Sequence, residues 1–292
     1  MDLEEVPIEK KGINIYLYYW TVPIFFMFIL INYLSDYYRI AILDINLMIS
    51  VVSFLFGFLI TISFSMILSR ISALKAALAV ETGRLISIFH LSKRLGSKFN
   101  EKIKKHIDKY TVNTLREYRN YSVGRESVYG MYEDLDYMEV KTENQKASSG
   151  SLLYILGEFE INRENLEYLT GRGLLFSLKL ANYVMAILLV VLLFLNRSST
   201  FTNWLFIILS SIIFFILLVI EDYEDLRIGD YVVNISNSEQ IFDLIGEKRY
   251  YPQYILKRVD LERGKVYRVG VIDKETGREK VINMKYKPMG RH

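Results

Sequence analysis

The sequence predicts an all-α integral membrane protein with four transmembrane helices, long cytoplasmic helical extensions and a small, partly β C-terminal appendage. Three observations predict it. Ile15–Leu34, Ile45–Leu68, Leu174–Leu195 and Phe201–Ile220 each run 20 residues or more with at most one charge inside. The charged residues, 24% of the chain, fall almost wholly outside those segments. The last sixty residues change to a pattern of alternating apolar and polar positions.

Each apolar segment meets the length that about 30 Å of hydrocarbon requires. In lipid a backbone must satisfy its own hydrogen bonds, so each reads as a membrane-crossing helix. The expected layout is a cytoplasmic N-terminus over 1–14, a first hairpin over 15–68 (15–34 and 45–68) and a cytoplasmic helical region over 69–173. A second hairpin over 174–220 (174–195 and 201–220) and a cytoplasmic C-terminal region over 221–292 follow. The N-terminus is acidic and the first apolar run too long for a cleaved signal peptide, so Ile15–Leu34 is expected to stay.

Orientation follows Lys and Arg near the helix ends. Lys10, Lys11, Arg70, Lys75, Arg84, Arg163, Arg172 and Arg227 would share one side, against only Arg39 and Arg197 on the other. This puts both termini and the long loop in the cytoplasm of a cell bounded by the plasma membrane. Tyr16, Tyr18, Tyr19 and Trp20 at the inner end of the first helix, and Trp204 at the outer end of the fourth, suit membrane interfaces. Lys179, inside the third segment, is either a functional intramembrane charge or a side chain that snorkels to the headgroups. Asp44 has the same two readings.

Ser69–Gly173 is too long to be an ordinary connection. Ile71, Leu74, Leu78, Leu85, Ile88 and Leu95 recur at helical spacing, so the second membrane helix is expected to continue unbroken into the cytoplasm. Glu81 lies on that stripe and needs a partner, which Arg84 or a neighbouring subunit would supply. Arg84–Arg125 carries 11 basic and 3 acidic residues; Glu126–Glu167 carries 3 basic and 10 acidic. The two halves either pair as antiparallel helices or, for the basic half, collect anions or anionic lipid. Leu152, Ile155, Leu156, Phe159, Leu166 and Leu169 form a second apolar stripe, and Asn144–Ser151 reads as a flexible turn.

Glu221, Asp222, Glu224 and Asp225 sit at a helix C-terminus, where the macrodipole disfavours carboxylates. They call for a cation, either Lys and Arg from the protein or a bound divalent metal such as calcium. Beyond them, Ser238–Ile245 suggests a helix and Tyr250–Leu256 an extended segment. Lys265–Ile272 and Glu279–Tyr286 suggest a hairpin turning at Gly277. A lone hairpin is marginal, so docking on the loop helices or a neighbouring subunit is expected.

No catalytic constellation is present. The chain has no cysteine, no phosphate-binding glycine loop and no paired histidines, so an enzyme is not expected, and nothing points to nucleic acid. The second membrane helix is more informative. Ser50, Ser53, Gly57, Thr61, Ser65, Ser69 and Ser72 make one narrow small-residue face, and Phe54, Phe58 and Ile62 make an apolar ladder beside it. That face serves either close helix packing or, in a symmetric homo-oligomer, a conduit whose phenylalanines form a hydrophobic constriction.

The stretches Phe58–Arg70 and Ala79–Leu95 resemble the prokaryotic bestrophin-like four-pass membrane domain family, to which no activity is assigned, and Asn162-Arg-Glu-Asn-Leu166 resembles its helix before the third crossing. Gly171-Arg-Gly departs from the proline expected there. The bestrophins, distant namesakes, are pentameric and mostly chloride-conducting. The resemblance therefore implies a pentamer with Phe54, Phe58 and Ile62 at a neck, and calcium at Glu221, Asp222, Glu224 and Asp225. The reading reached is a homo-oligomeric ion channel, anion-conducting, in contact with membrane lipid and small ions. A non-conducting scaffold or sensor with a cytoplasmic partner is the alternative, and a cation-selective channel of the same architecture the second.

Overall fold

The structure is a computed structural model and describes residues 15–35, 45–117, 120–171, 173–224, 230–259, 261–272 and 279–285. Lys10, Lys11, Arg39, Asp44, Arg172, Asp225, Arg227 and the hairpin turn at Gly277 lie outside the described residues, as do the side chains of Tyr16 and Tyr18. The helices are α1 (Ile15–Leu34), α2 (Ile45–Leu95), α3 (Ser97–Arg116), α4 (Arg125–Asp136), α5 (Glu143–Gly171), α6 (Phe176–Leu195), α7 (Thr200–Glu224) and α8 (Asp230–Ile245). A sheet of β1 (Tyr250–Pro252), β2 (Val266–Ile272) and β3 (Glu279–Lys285) completes the chain. Among the described residues, α2, the run from α5 through α6, and α7 contain stretches long and apolar enough to cross a membrane. The described part of α1, Tyr19–Leu34, is apolar and shorter.

Two compact units divide the described residues. The apolar unit draws on Gly12–Ile71 and Gly173–Gly229, the charged unit on Ser72–Arg172 and Asp230–His292. In the apolar unit α7 packs on both α1 and α6. Phe28 of α1 meets the Phe206 ring edge-on at 5.5 Å, and Phe206 in turn meets Phe194 at 5.6 Å. Two helices are pinned by polar contacts: Asn182 Nδ2 of α6 donates to Ser63 Oγ of α2 at 2.7 Å, with both residues buried.

The charged unit is organised by α3, which packs on α4, α8 and β1. Gly96, at φ 124°, breaks α2 from α3 in a conformation that a side chain would strain. The core gathers Leu85, Ile88, Phe99, Ile103, Ile107, Val128, Leu152, Leu156, Phe159 and Phe242. The apolar stripes expected on α2 and α5 therefore face inward. Opposite charges pair between α3 and α4 and between α4 and α5, one of the two alternatives the charge pattern offered: Lys102 Nζ to Asp134 at 2.6 Å, Lys109 to Glu126 at 2.8 Å, and Arg125 to Glu167 at 3.2 Å. Asn144–Ser151 is not a turn. It is the first part of α5, because Gln145 caps the helix start by accepting from the Lys141 amide and Ala147 accepts from Ser151. The helix break falls at 137–142 instead.

The C-terminal region begins with a longer helix than Ser238–Ile245. It ends at Gly246, whose φ of 71° allows Glu247 N to reach back to Phe242 O at 2.9 Å, a Schellman closure. The extended segment is brief: β1 runs parallel to β2, and a 3-10 turn over Gln253–Arg258 follows. The hairpin is present, with β2 antiparallel to β3 and Val266 opposite Lys285. The sheet docks on α3 through a fork, Arg268 Nη1 and Nη2 reaching Asp108 at 2.8 and 2.5 Å, and through Arg116 to Glu279 at 2.6 Å.

Replacing Arg268 with alanine leaves Asp108 half-buried without its fork, so a loss of about 2 kcal/mol is expected in thermal or denaturant unfolding. An unchanged melt would show that the sheet does not depend on this contact.

Candidate functional site

The outward face of α2 is the first candidate. Phe54 is 73% and Phe58 59% exposed, and Ser50, Ser53, Gly57, Thr61 and Ser65 are all exposed with them. Ile62 is half-buried and stands at the margin of the face. The buried residues Val52, Phe56, Ile60, Ser63 and Ile67 occupy the opposite side of the same helix. Among the described residues of the apolar unit, none covers the small-residue face. Two of its hydroxyls bond within the helix: Ser50 donates to Asn46 O at 2.9 Å and Thr61 to Gly57 O at 2.8 Å. A helix carbonyl can accept this second bond, so serine and threonine are tolerated on a face exposed to lipid or to another helix.

The second candidate is the acidic end of α7. Lys179 does not snorkel alone. Its Nζ lies 2.8 Å from both carboxylate oxygens of Glu221 and 3.1 Å from Glu224 Oε2. The Tyr183 hydroxyl also donates to Glu221, and the Leu174 amide donates to Glu224 Oε1 at 3.2 Å. Arg70 Nη1 donates to the Glu224 carbonyl at 3.1 Å, giving the helix C-terminus the cation its dipole favours. Asp222 is buried. The cation that the acidic run calls for is thus a lysine of the neighbouring helix. Among the described residues no three His, Cys, Asp or Glu side chains are gathered as metal ligands.

The third candidate is Glu81, buried in the charged unit. Its partner is not Arg84, which reaches Glu158 of α5 at 2.8 Å. The Tyr110 hydroxyl of α3 donates to Glu81 Oε1 instead. Burial pushes the Glu81 carboxyl up to about 7, against the downward pull of Tyr110 and of the Arg163 charge. Arg163 is itself 1% exposed, and its Nε and Nη1 have no hydrogen-bond partner among the described residues. Its neighbour Asn162 donates to the Ala77 carbonyl of α2 at 2.9 Å.

Sequence reasoning missed three of these contacts. Arg197 is buried at the end of α6 opposite Lys179, donating to Phe194 O, Asn32 Oδ1 and Ser35 Oγ at 2.9, 3.1 and 3.2 Å, with its guanidinium 3.8 Å over the Phe194 ring. Counting basic residues by side treated it as a surface charge. Asn182 inside an apolar helix was a visible signal for an internal partner. Tyr110 carried none, since a tyrosine on an amphipathic stripe reads as core.

Removing the Lys179 ammonium strands two carboxylates. Lys179→Met is expected to lower stability by about 1–3 kcal/mol, and Glu221→Gln with Glu224→Gln in the same chain to recover much of it. A thermal-melt mutant cycle in detergent measures the coupling; additive losses would show that the three groups do not act together.

No protein-family profile matches this chain. No curated protein sequence matches it either. Two solved structures share its fold, each a crystal structure of a membrane protein. The first superposes with a TM-score of 0.60 at 10% identity, over 78% of this chain and 98% of that one. The second gives 0.52 at 13% identity, over 80% and 98%. The fold is that of a helical membrane protein with transmembrane helices and a small C-terminal sheet.

Proposed function

We propose that the protein is a homo-oligomeric ion channel of the plasma membrane, with four crossings per chain and both termini cytoplasmic. The observation that carries this reading is the uncovered face of α2. Ser50, Ser53, Phe54, Gly57, Phe58, Thr61 and Ser65 lie together on the side of the helix opposite its buried residues. Copies arranged around an axis would turn that face inward, where small residues leave space and the phenylalanines form a constriction that gates by dewetting. The bestrophin-like resemblance favours five copies. Anions are favoured because the basic half of the long loop keeps Arg94, Lys98 and Lys105 exposed, which raises the local anion concentration.

Reconstitution into liposomes tests the proposal. Chloride flux is expected, and Phe54→Ala or Phe58→Ala should raise it several-fold by widening and wetting the neck. Native mass measurement should give a closed ring of identical chains. Absence of flux for every small ion across a range of calcium and pH, or a monomer in detergent, would remove it.

A further inference from the structure

Glu81 lies thirteen residues past Leu68, where the apolar stretch of α2 ends, on a stripe otherwise made of Leu74, Leu78, Leu85 and Ile88. It borders a water-sized, partly open cleft lined also by Thr82 of α2, Tyr110, Thr111 and Thr114 of α3, and Asn237 and Ser238 of α8. The three threonine hydroxyls donate to the carbonyls of Leu78, Ile107 and Tyr110 in their own helices at 2.9, 2.8 and 3.1 Å. Their oxygens thus offer the cleft lone pairs, not protons. Among the described residues, the cation whose charge acts on the carboxyl group is Arg163 of α5. Its Nη1 stands 3.9 Å from Glu167 Oε2, and its Nε and Nη1 have no acceptor among the described residues. A buried acid with one tyrosine donor and threonine lone pairs along its cleft, near a buried guanidinium with idle donors, has two self-consistent arrangements.

We propose that Glu81 is a proton-binding site: its carboxyl group holds a proton taken from the cleft while Arg163 is turned toward Glu167, and releases it to solvent when Arg163 swings across to pair with it. The other groups that face it are accounted for. From α3 comes Tyr110, which donates to Glu81 in either state. From α8 come Asn237 and Ser238, neither of which titrates. On α2, Arg84 is held by Glu158. The exchange therefore alters how α2 is held against α5, while Tyr110 of α3 keeps its bond to Glu81.

The sign of the pH dependence follows. A carboxyl raised above its unfolded value of 4.5 favours the fold while protonated, and that stability is lost as pH rises through about 7.

The experiment is thermal melting of the full chain in detergent between about pH 5 and pH 9, with infrared difference spectra over the same range. The melting temperature should step down between about pH 5 and pH 7 and stay level above it, and a carboxylic-acid carbonyl band should be lost near pH 7. Glu81→Gln should remove both the step and the band, and should melt above the parent at alkaline pH. Tyr110→Phe should move the midpoint upward, since it deletes a bond that favours the ionised form. A step that survives in Glu81→Gln would overturn the proposal. If that variant does not fold, the parent spectra decide alone: no carboxylic-acid band titrating near neutral pH means no such site. Neither readout involves ion flux, so failure here and failure of the channel reading are distinguishable.

Discussion

A polar group left without a partner in hydrocarbon costs several kcal/mol, and the apolar unit is arranged around that penalty. Ser63, Asn182, Arg197 and Ser211 each reach another helix or their own backbone, while Ser210 Oγ has no partner among the described residues. Asn182 holds Ser63, Lys179 gathers Glu221 and Glu224, and Arg197 draws in Asn32, Ser35 and the rings of Phe194 and Phe206. These contacts tie α1, α2, α6 and α7 at specific depths, which apolar packing against equally apolar lipid would not do. The outward face of α2 is where this constraint is met locally. Ser50 and Thr61 there bond to the preceding turn, which leaves the face free to meet another chain.

The charged unit obeys a different rule. Its ion pairs are mostly half-exposed, and such pairs contribute about 0–1 kcal/mol each. The buried set around Ile88, Ile103, Ile107 and Phe159 supplies the stabilisation, while the complementary charges of α3, α4 and α5 select which helices meet and in what register. Glu81 is the exception. It is a carboxylate inside that core, joined to a tyrosine and facing an arginine that does not reach it. A position that departs from the surrounding pattern without local compensation is where a functional role is expected.

Two sequence-based expectations failed for identifiable reasons. Asn144–Ser151 contains no apolar residue larger than alanine, which resembles a loop. Its residues nonetheless cap and continue α5, and Ser148 is buried in the structure. For Glu81, Arg84 was one of two expected partners, beside a neighbouring subunit, because residues three apart on a helix are neighbours. Arg84 instead follows the stronger bidentate option offered by the Glu158 carbonyl and carboxylate across the helix pair.

The sequence alone determined the membrane class, the long unbroken α2, the inward stripes on α2 and α5, the cross-pairing of basic and acidic helices and the terminal hairpin. All of these follow from period, length and charge, which are local properties of the chain. Tertiary structure decided which cation the acidic end of α7 receives, which hydroxyl meets Glu81, and that Arg197 is interior, not interfacial. Those outcomes depend on residues 29 to 165 positions apart meeting within hydrogen-bond distance, and no spacing in one dimension encodes such a meeting.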